Sequence, residues 1–119
     1  MTGARSVDDS YEWCIRVARS QAKNFYYSFL LLSTPQRRAM CAIYAFMRYC
    51  DDLSDDEGIA DRPAAIARWR VDLESALAGR PSAHALWPAF IDSVRRYNIP
   101  HQYFFDMISG VSSVSMRKK

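Results

Sequence analysis

Apolar residues recur every three or four positions through most of the chain, a period typical of amphipathic helices. No stretch alternates between apolar and polar residues as a half-buried strand does, so the pattern predicts an all-α fold. Connections of bundle length separate the segments. Six helices are predicted: one from a cap at Ser6 or Asp8 to about Gln21, then 24–32, 34–54, 61–78, 82–97 and 101–111.

Turn and cap residues set the predicted boundaries. Thr34 is the expected N-cap of the third helix, with Pro35 in its first turn, and Asp61 is the expected N-cap of the fourth. Pro88 falls either in the first turns of the fifth helix or at a kink within it. The last nine residues lack the apolar period, so the sixth helix is expected to end near Val111.

The predicted third helix ends in a cluster of acids. Asp51 and Asp55 are four residues apart and share one helix face, and Tyr44 and Arg48 fall on the same stripe. Acids at a helix C-terminus oppose the macrodipole by about 0.3–1 kcal/mol each. A compensating cation is therefore expected, and carboxylate oxygens suit Mg²⁺. The alternative interpretation is a solvated acidic helix end without a metal.

Composition narrows the function classes. The chain has 119 residues, enough for one small domain, half of them hydrophobic, with a net charge of +3. Because the basic residues form no stripe, nucleic-acid binding is not expected. Cys14, Cys41 and Cys50 are interpreted as core residues, which fits a reducing cytoplasm. No signal peptide or membrane span is evident, so a cytoplasmic location is expected, while Arg37 and Arg38 leave peripheral membrane contact open.

Three stretches carry a family resemblance: 23–29 (KNFYYSF), 42–55 (AIYAFMRYCDDLSD, with a DxxxD motif) and 99–111 (IPHQYFFDMISGV). Over about residues 11–111 the chain resembles the squalene/phytoene synthase family of head-to-head prenyltransferases. The resemblance implies an all-α helical bundle of the isoprenoid synthase type around a deep cavity. This chain would supply the N-terminal helices, as a single truncated domain over residues 1–119.

Family members condense two farnesyl or geranylgeranyl diphosphates with Mg²⁺ on the way to hopanoids, sterols or carotenoids. The resemblance implies that Asp51 and Asp55 hold Mg²⁺ bridging a prenyl diphosphate substrate, with Asp52 beside them. It also implies a diphosphate contact for Arg48 and a reaction-centre position for Tyr44. Phe25 and Phe29 would wall the hydrophobic cavity.

Structural roles remain open for the same side chains. Arg48 could pair with an acid on its own helix instead of a diphosphate, and the aromatic residues Phe25, Phe29 and Tyr44 could be ordinary core. His84 has no partner at metal-ligand spacing, so a surface or capping position is expected for it. The three tryptophans, Trp13, Trp69 and Trp87, are assigned to packing.

Two departures from the family pattern matter. Ala22 stands where members often have serine, and the second aspartate-rich helix of the family has no counterpart here. The chain is thus interpreted as an N-terminal portion, truncated or frame-shifted near residue 113, that is inactive or nearly so alone. The second hypothesis is a non-catalytic helical interaction module. Under either hypothesis we expect a homo-oligomer formed through exposed apolar helix faces.

Overall fold

A computed structural model describes residues 6–55, 58 and 60–117, and for residues 25, 54–55 and 111–117 it describes the backbone alone. Every regular element in these residues is helical, which confirms the predicted all-α fold. The helices are α1 (Val7–Gln21), α2 (Lys23–Phe29), α3 (Thr34–Asp55), α4 (Arg62–Leu77), α5 (Trp87–Tyr97) and α6 (Gln102–Arg117). None of the described helices is both long and apolar enough to cross a membrane.

Two helices begin at side-chain caps of the expected kind. The Ser6 hydroxyl accepts a hydrogen bond from the Asp9 N–H at 3.0 Å, so Ser6 rather than Asp8 caps α1. The Asp61 carboxylate accepts the Ala64 N–H at 3.0 Å, which confirms the predicted cap of α4.

The predicted cap of α3 is wrong by one residue. The Ser33 hydroxyl accepts the Gln36 N–H at 3.4 Å, and the Gln36 side-chain oxygen accepts the Ser33 N–H at 3.3 Å. This is a reciprocal capping box, and it leaves Thr34 as the first helical residue. The single-residue shift does not change which face of α3 carries Tyr44 and Asp51.

Three predicted helix bounds also differ from the structure. Helix α2 ends at Phe29 rather than residue 32, because the next three residues form a tight turn. Helix α5 begins at Trp87 rather than Ser82, with Pro88 in its first turn. Helix α6 continues past Val111 to Arg117. The apolar period reports burial, whereas residues 111–117 contain no glycine or proline that would end a helix.

The core is built around one aromatic ring from α3. Phe46 is fully buried and stacks on Phe90 of α5, with ring centroids 4.8 Å apart, and on Trp69 of α4 at 5.9 Å. Phe104 of α6 meets it edge-on at 5.5 Å, and Trp87 stacks on Trp69 at 4.7 Å. Four helices therefore share a single aromatic cluster, and the predicted packing role of Trp69 and Trp87 is confirmed.

The smaller predicted core residues are also placed as expected. The three cysteines are buried free thiols, and burial raises the pKa of Cys14 to about 12, of Cys41 to about 11 and of Cys50 to about 12. Trp13 packs against the core from α1. His84 is half-buried rather than on the surface, and its Nδ1 accepts the Leu86 N–H at 3.1 Å, a local capping bond.

A serine of α1 caps the start of α5. The position before α5 is Leu86, whose side chain cannot accept a hydrogen bond. The fully buried Ser10 hydroxyl accepts the Ala89 N–H at 2.9 Å and donates to the Ala85 carbonyl at 2.6 Å. A donor at the helix start is thereby satisfied by a residue 79 positions earlier in the chain.

The next residue of α1 reaches the same helix. The Tyr11 hydroxyl donates to the Asp92 carboxylate at 2.6 Å and lies 2.9 Å from the Ser93 hydroxyl. Burial, together with the Asp92 bond, raises the pKa of Tyr11 to about 12. Helix α1 is therefore fastened to α5 by polar contacts as well as by packing.

Candidate functional site on helix α3

One face of α3 changes from apolar to acidic side chains along the helix. Met40, Tyr44, Met47 and Asp51 follow at helical spacing, so their side chains form one stripe along the helix. Both methionines and Asp51 are exposed, and Tyr44 is half-buried against the core. The stripe is largely apolar from Met40 to Met47 and acidic at Asp51, near the C-terminal end of the helix.

Arg48 lies on the same face, between Tyr44 and Asp51, and pairs with an acid of its own helix. Its Nε and one terminal nitrogen donate to the same Asp52 oxygen, at 3.1 Å and 2.7 Å. The hydrogen bond to Asp52 raises the pKa of Arg48, and the nearby Tyr44 side chain acts in the same direction. The structural alternative for Arg48, a pair with an acid one turn away, is therefore what the structure contains. The pair is partly exposed, so it is worth only about 0–1 kcal/mol, and a multiply charged anion can compete for the guanidinium.

Asp51, unlike Asp52, has no bonding partner among the described residues. Its carboxylate is exposed, and within the described part of the chain it makes no hydrogen bond or ion pair. Asp55 is the last residue of α3, one turn after Asp51, and its side chain lies outside the described residues. The described side chains hold no group of three metal-ligating residues. They do offer oxygen donors of the kind that Mg²⁺ takes, usually one or two carboxylates plus substrate oxygens.

The two phenylalanines belong to α2. Phe29 is half-buried and packs against the core, while the Phe25 side chain lies outside the described residues. The structure thus places Tyr44 and Asp52 on either side of Arg48, one turn away in each direction, and Asp51 directly before Asp52. Phe29 shares the core with Tyr44, and the predicted distinction between core and cavity wall stays open for both.

A groove between α3 and α4 was not foreseen. Tyr49 and Leu53 line it from α3, and Ala65 and Arg68 from α4, around a volume of about 390 Å³. Asp52 lines an adjoining groove of about 630 Å³ over the same four residues. Arg68 therefore places a second cation near the acidic end of α3. Its spacing from Ala65 and Asp72 on one face of α4 was the available signal, but the sequence does not show which helix that face meets.

The family model described as squalene/phytoene synthase matches residues 18–115. The chain belongs to the squalene/phytoene synthase family. The matched residues include the whole α3 stripe, α2 and most of α6, so the family resemblance found in the sequence is confirmed.

Relatives of known name agree with this family assignment. The chain is 37% identical over 107 residues to the chloroplastic phytoene synthase of Narcissus pseudonarcissus, covering 88% of this chain and 25% of that protein. It is 36% identical over 106 residues to the 15-cis-phytoene synthase of Synechocystis sp., covering 88% of this chain and 31% of that protein.

A solved member of the squalene/phytoene synthase family shares the fold. The squalene synthase HpnC from Alicyclobacillus acidocaldarius superimposes with a TM-score of 0.83 at 28% identity, over 95% of this chain and 41% of that chain. The chain thus spans about a quarter to a third of the two named phytoene synthases and less than half of the solved synthase.

Proposed function

We propose that this chain forms the N-terminal part of a prenyltransferase site, in which two farnesyl or geranylgeranyl diphosphates are joined head-to-head. The observation that carries the proposal is the α3 stripe, which is apolar at one end and acidic at the other. A prenyl diphosphate has the same division, with a hydrocarbon tail and a charged head. Membership of the squalene/phytoene synthase family supports this substrate class.

The acidic end of the stripe suits the diphosphate. Asp51 and Asp55 would hold Mg²⁺, which when bound would offset the negative charge that develops on the leaving diphosphate. Arg48 remains charged throughout and donates hydrogen bonds to diphosphate oxygens. Asp52 positions Arg48, because its carboxylate holds the guanidinium at the surface before the anion arrives. Tyr44 steadies the same guanidinium from the previous turn.

The apolar end of the stripe suits the hydrocarbon. Met40 and Met47 lie one turn on either side of Tyr44, so the three side chains offer one surface to an isoprenoid chain. When the allylic carbon–oxygen bond breaks, positive charge develops on carbon, and an apolar wall keeps water away from it. The Tyr44 ring adds a π face that favours a nearby cation. By the family resemblance, Phe25 and Phe29 of α2 would extend the same wall.

Calorimetry with a non-hydrolysable farnesyl diphosphate analogue tests this proposal. Magnesium-dependent binding is expected for the wild-type chain, and the double variant Asp51→Ala/Asp55→Ala should weaken it by tenfold or more. Asp9→Ala/Glu12→Ala removes two exposed acids from α1 and is the matched control. If both double variants bind the analogue as the wild type does, the assignment of Asp51 and Asp55 is wrong.

Turnover by this chain alone is expected to be absent or very low. The proposed carboxylates all come from one helix, whereas the solved synthase contains more than twice the matched length. Carboxylates from one helix can bind Mg²⁺ and a diphosphate, but the reaction also needs groups that position both substrates. Incubation with farnesyl or geranylgeranyl diphosphate and Mg²⁺ measures this directly, and robust product would contradict the expectation.

The exposed methionines also favour a second candidate, a non-catalytic helical module that associates through α3. Met40 and Met47 are large apolar side chains on the surface of the described chain. Under this alternative, Met40→Ser/Met47→Ser would reduce self-association measured by light scattering, and the analogue would not bind. Binding of the analogue that requires both Mg²⁺ and Asp51 favours the first candidate.

A further inference from the structure

The α3 stripe belongs to a longer row of side chains with a charge at each end. This row, the α3 seam, consists of Arg37, Met40, Tyr44, Met47 and Asp51, at spacings of three, four, three and four residues. Such spacing is that of the a and d positions with which one helix packs along another. Met40 is 41% exposed and Met47 is 43% exposed, so the described helices leave the middle of the seam open to solvent.

Charge is divided along the chain in the same direction as along the seam. Residues 13–50 contain six lysines and arginines and no aspartate or glutamate, whereas residues 51–61 contain six aspartates and glutamates and no lysine or arginine. The macrodipole of α3 has the same direction, since it is positive at the N-terminus and negative at the C-terminus. The two ends of α3 therefore attract groups of opposite charge.

Neither charge at the ends of the seam is neutralised by the described residues. The Arg37 guanidinium donates to the carbonyls of Phe29, Leu30 and Leu32, each at 3.3 Å, and these acceptors carry no net charge. Asp51 is exposed and makes no ion pair in the described part of the chain. A partner that offers an acid to one end and a base to the other would compensate both charges.

We propose that this partner is a second copy of the chain, whose own α3 packs antiparallel on the first. A two-fold axis near Tyr44 places Met40 of one copy against Met47 of the other. The same axis brings Arg37 of each copy to Asp51 of the other, so every favourable contact occurs twice. A parallel pair would instead bring the two acidic ends together, and their like charges would repel.

The dimer and a bound prenyl diphosphate exclude each other, because both cover Met40, Tyr44 and Met47. This consequence rests on the proposed function, whereas the dimer itself does not. Self-association covers the stripe until Mg²⁺ and a prenyl diphosphate displace the second copy by mass action. The apparent affinity for the prenyl diphosphate is therefore expected to fall as the concentration of the chain rises.

Oxidative cross-linking of the whole chain tests the antiparallel orientation. Met40→Cys and Met47→Cys chains are mixed and oxidised with diamide, and a disulfide between positions 40 and 47 is the expected product. Either variant alone should cross-link little, since equal positions of the two copies lie about 10 Å apart along the helix axis. The natural cysteines are buried free thiols, so they should not compete.

Sedimentation velocity measures the strength of association. The wild-type chain is expected to dimerise at micromolar concentration, and less tightly as salt is added. Met40→Ser/Met47→Ser should raise the dissociation constant about tenfold or more. Asp51→Lys places a cation against Arg37 and should raise it roughly tenfold at low salt, with a smaller effect at high salt.

The controls replace residues outside the seam. Val71→Ser/Tyr103→Ser removes two exposed apolar side chains from α4 and α6, and Glu12→Lys reverses an exposed charge on α1. Both variants should keep the dissociation constant of the wild type.

Three results would overturn the proposal: a wild-type chain that is monomeric at every concentration measured, disulfides between equal positions instead of between 40 and 47, and equal losses in the seam and control variants. Addition of the farnesyl diphosphate analogue with Mg²⁺ should convert the dimer into a monomer. A dimer that persists while calorimetry shows the analogue bound would contradict the shared face. A cross-linked 40–47 dimer in a chain that does not bind the analogue would support the dimer and contradict the proposed function.

Discussion

At the scale of single residues, the Ser10 hydroxyl connects two helices that are far apart in the chain. It accepts the Ala89 N–H at the start of α5 and donates to the Ala85 carbonyl just before it. Water cannot replace it, because Ser10 is fully buried. A methyl group in its place would leave a buried backbone donor and a buried backbone acceptor without partners.

Ser10→Ala is therefore expected to lower the free energy of unfolding by about 1–3 kcal/mol, the usual cost of an unsatisfied buried polar group. Urea denaturation followed by circular dichroism measures the change. Ser20→Ala is the matched control on α1, since its hydroxyl bonds only the Val17 carbonyl at an exposed position, and it should change stability by less than about 0.5 kcal/mol. Equal midpoints for the two variants would show that Ser10 does not cap α5.

At the scale of the helix, acids at the C-terminal end of α3 lower the stability of the helix, and its proposed role in binding explains why they are there. Its last two turns include Asp51 and Asp52 and no basic residue in the last turn, so acids meet the negative end of the macrodipole. Asp52 is partly compensated by Arg48, whereas Asp51 has no ion pair in the described part of the chain. An acid kept where it destabilises its own helix is typical of a binding site.

Asp51→Asn is expected to stabilise the ligand-free chain by about 0.3–1 kcal/mol while weakening Mg²⁺-dependent binding of the diphosphate analogue. Asp9→Asn is the control and should have the opposite effect. Asp9 lies in the first turn of α1, where a negative charge is favourable, so its loss should lower the stability of the chain. Urea denaturation and calorimetry on the same samples separate the two effects. A less stable Asp51→Asn chain would contradict this reasoning.

Helix starts were predictable where the signal is local. Asp61 and Pro63 identify the start of α4 because a cap and its first turn lie within a few residues. The start of α5 was missed because it depends on Ser10, 79 positions away. The end of α2 was missed because Arg37 closes the following turn through side-chain bonds that no spacing rule records.

In the candidate site too, residues on one helix could be predicted from the sequence, whereas a residue from another helix could not. Tyr44, Arg48 and Asp51 were found because helical spacing fixes their common face. Whether Arg48 pairs with Asp52 was one of two open alternatives, since it depends on side-chain geometry. Arg68 was missed because it belongs to another helix, and only the packing of α4 on α3 brings it near the acids.

At the scale of the whole molecule, buried ionisable groups make the free energy of unfolding depend on pH in the alkaline range. Burial raises the pKa of Cys14 from 9.0 to about 12 and of Cys50 from 9.0 to about 12. The folded chain thus keeps these protons at a pH where the unfolded chain loses them. Stability from these groups is fully present below about pH 9 and is lost as the pH rises toward 12. Tyr11 acts in the same direction between about pH 10 and 12.

The urea midpoint should therefore fall between about pH 8 and pH 10.5, and Cys14→Ala/Cys50→Ala should reduce that fall. The comparison uses the slope with pH, because removing two buried thiols also changes packing. Ser10→Ala is the control: it is destabilised without losing a titrating group and should keep the wild-type slope. Identical slopes in all three proteins would show that these thiols do not contribute.

The contacts of α1 with α5 also set an order of events during synthesis. Ser10 and Tyr11 find their partners only when residues 75 to 82 positions later have been made. At about 5–20 residues per second, the ribosome needs roughly 4 to 16 seconds to deliver them. Helix α3 is made earlier and can already cover part of the first helix, so it is the side that meets α5 that stays open until the end of this interval.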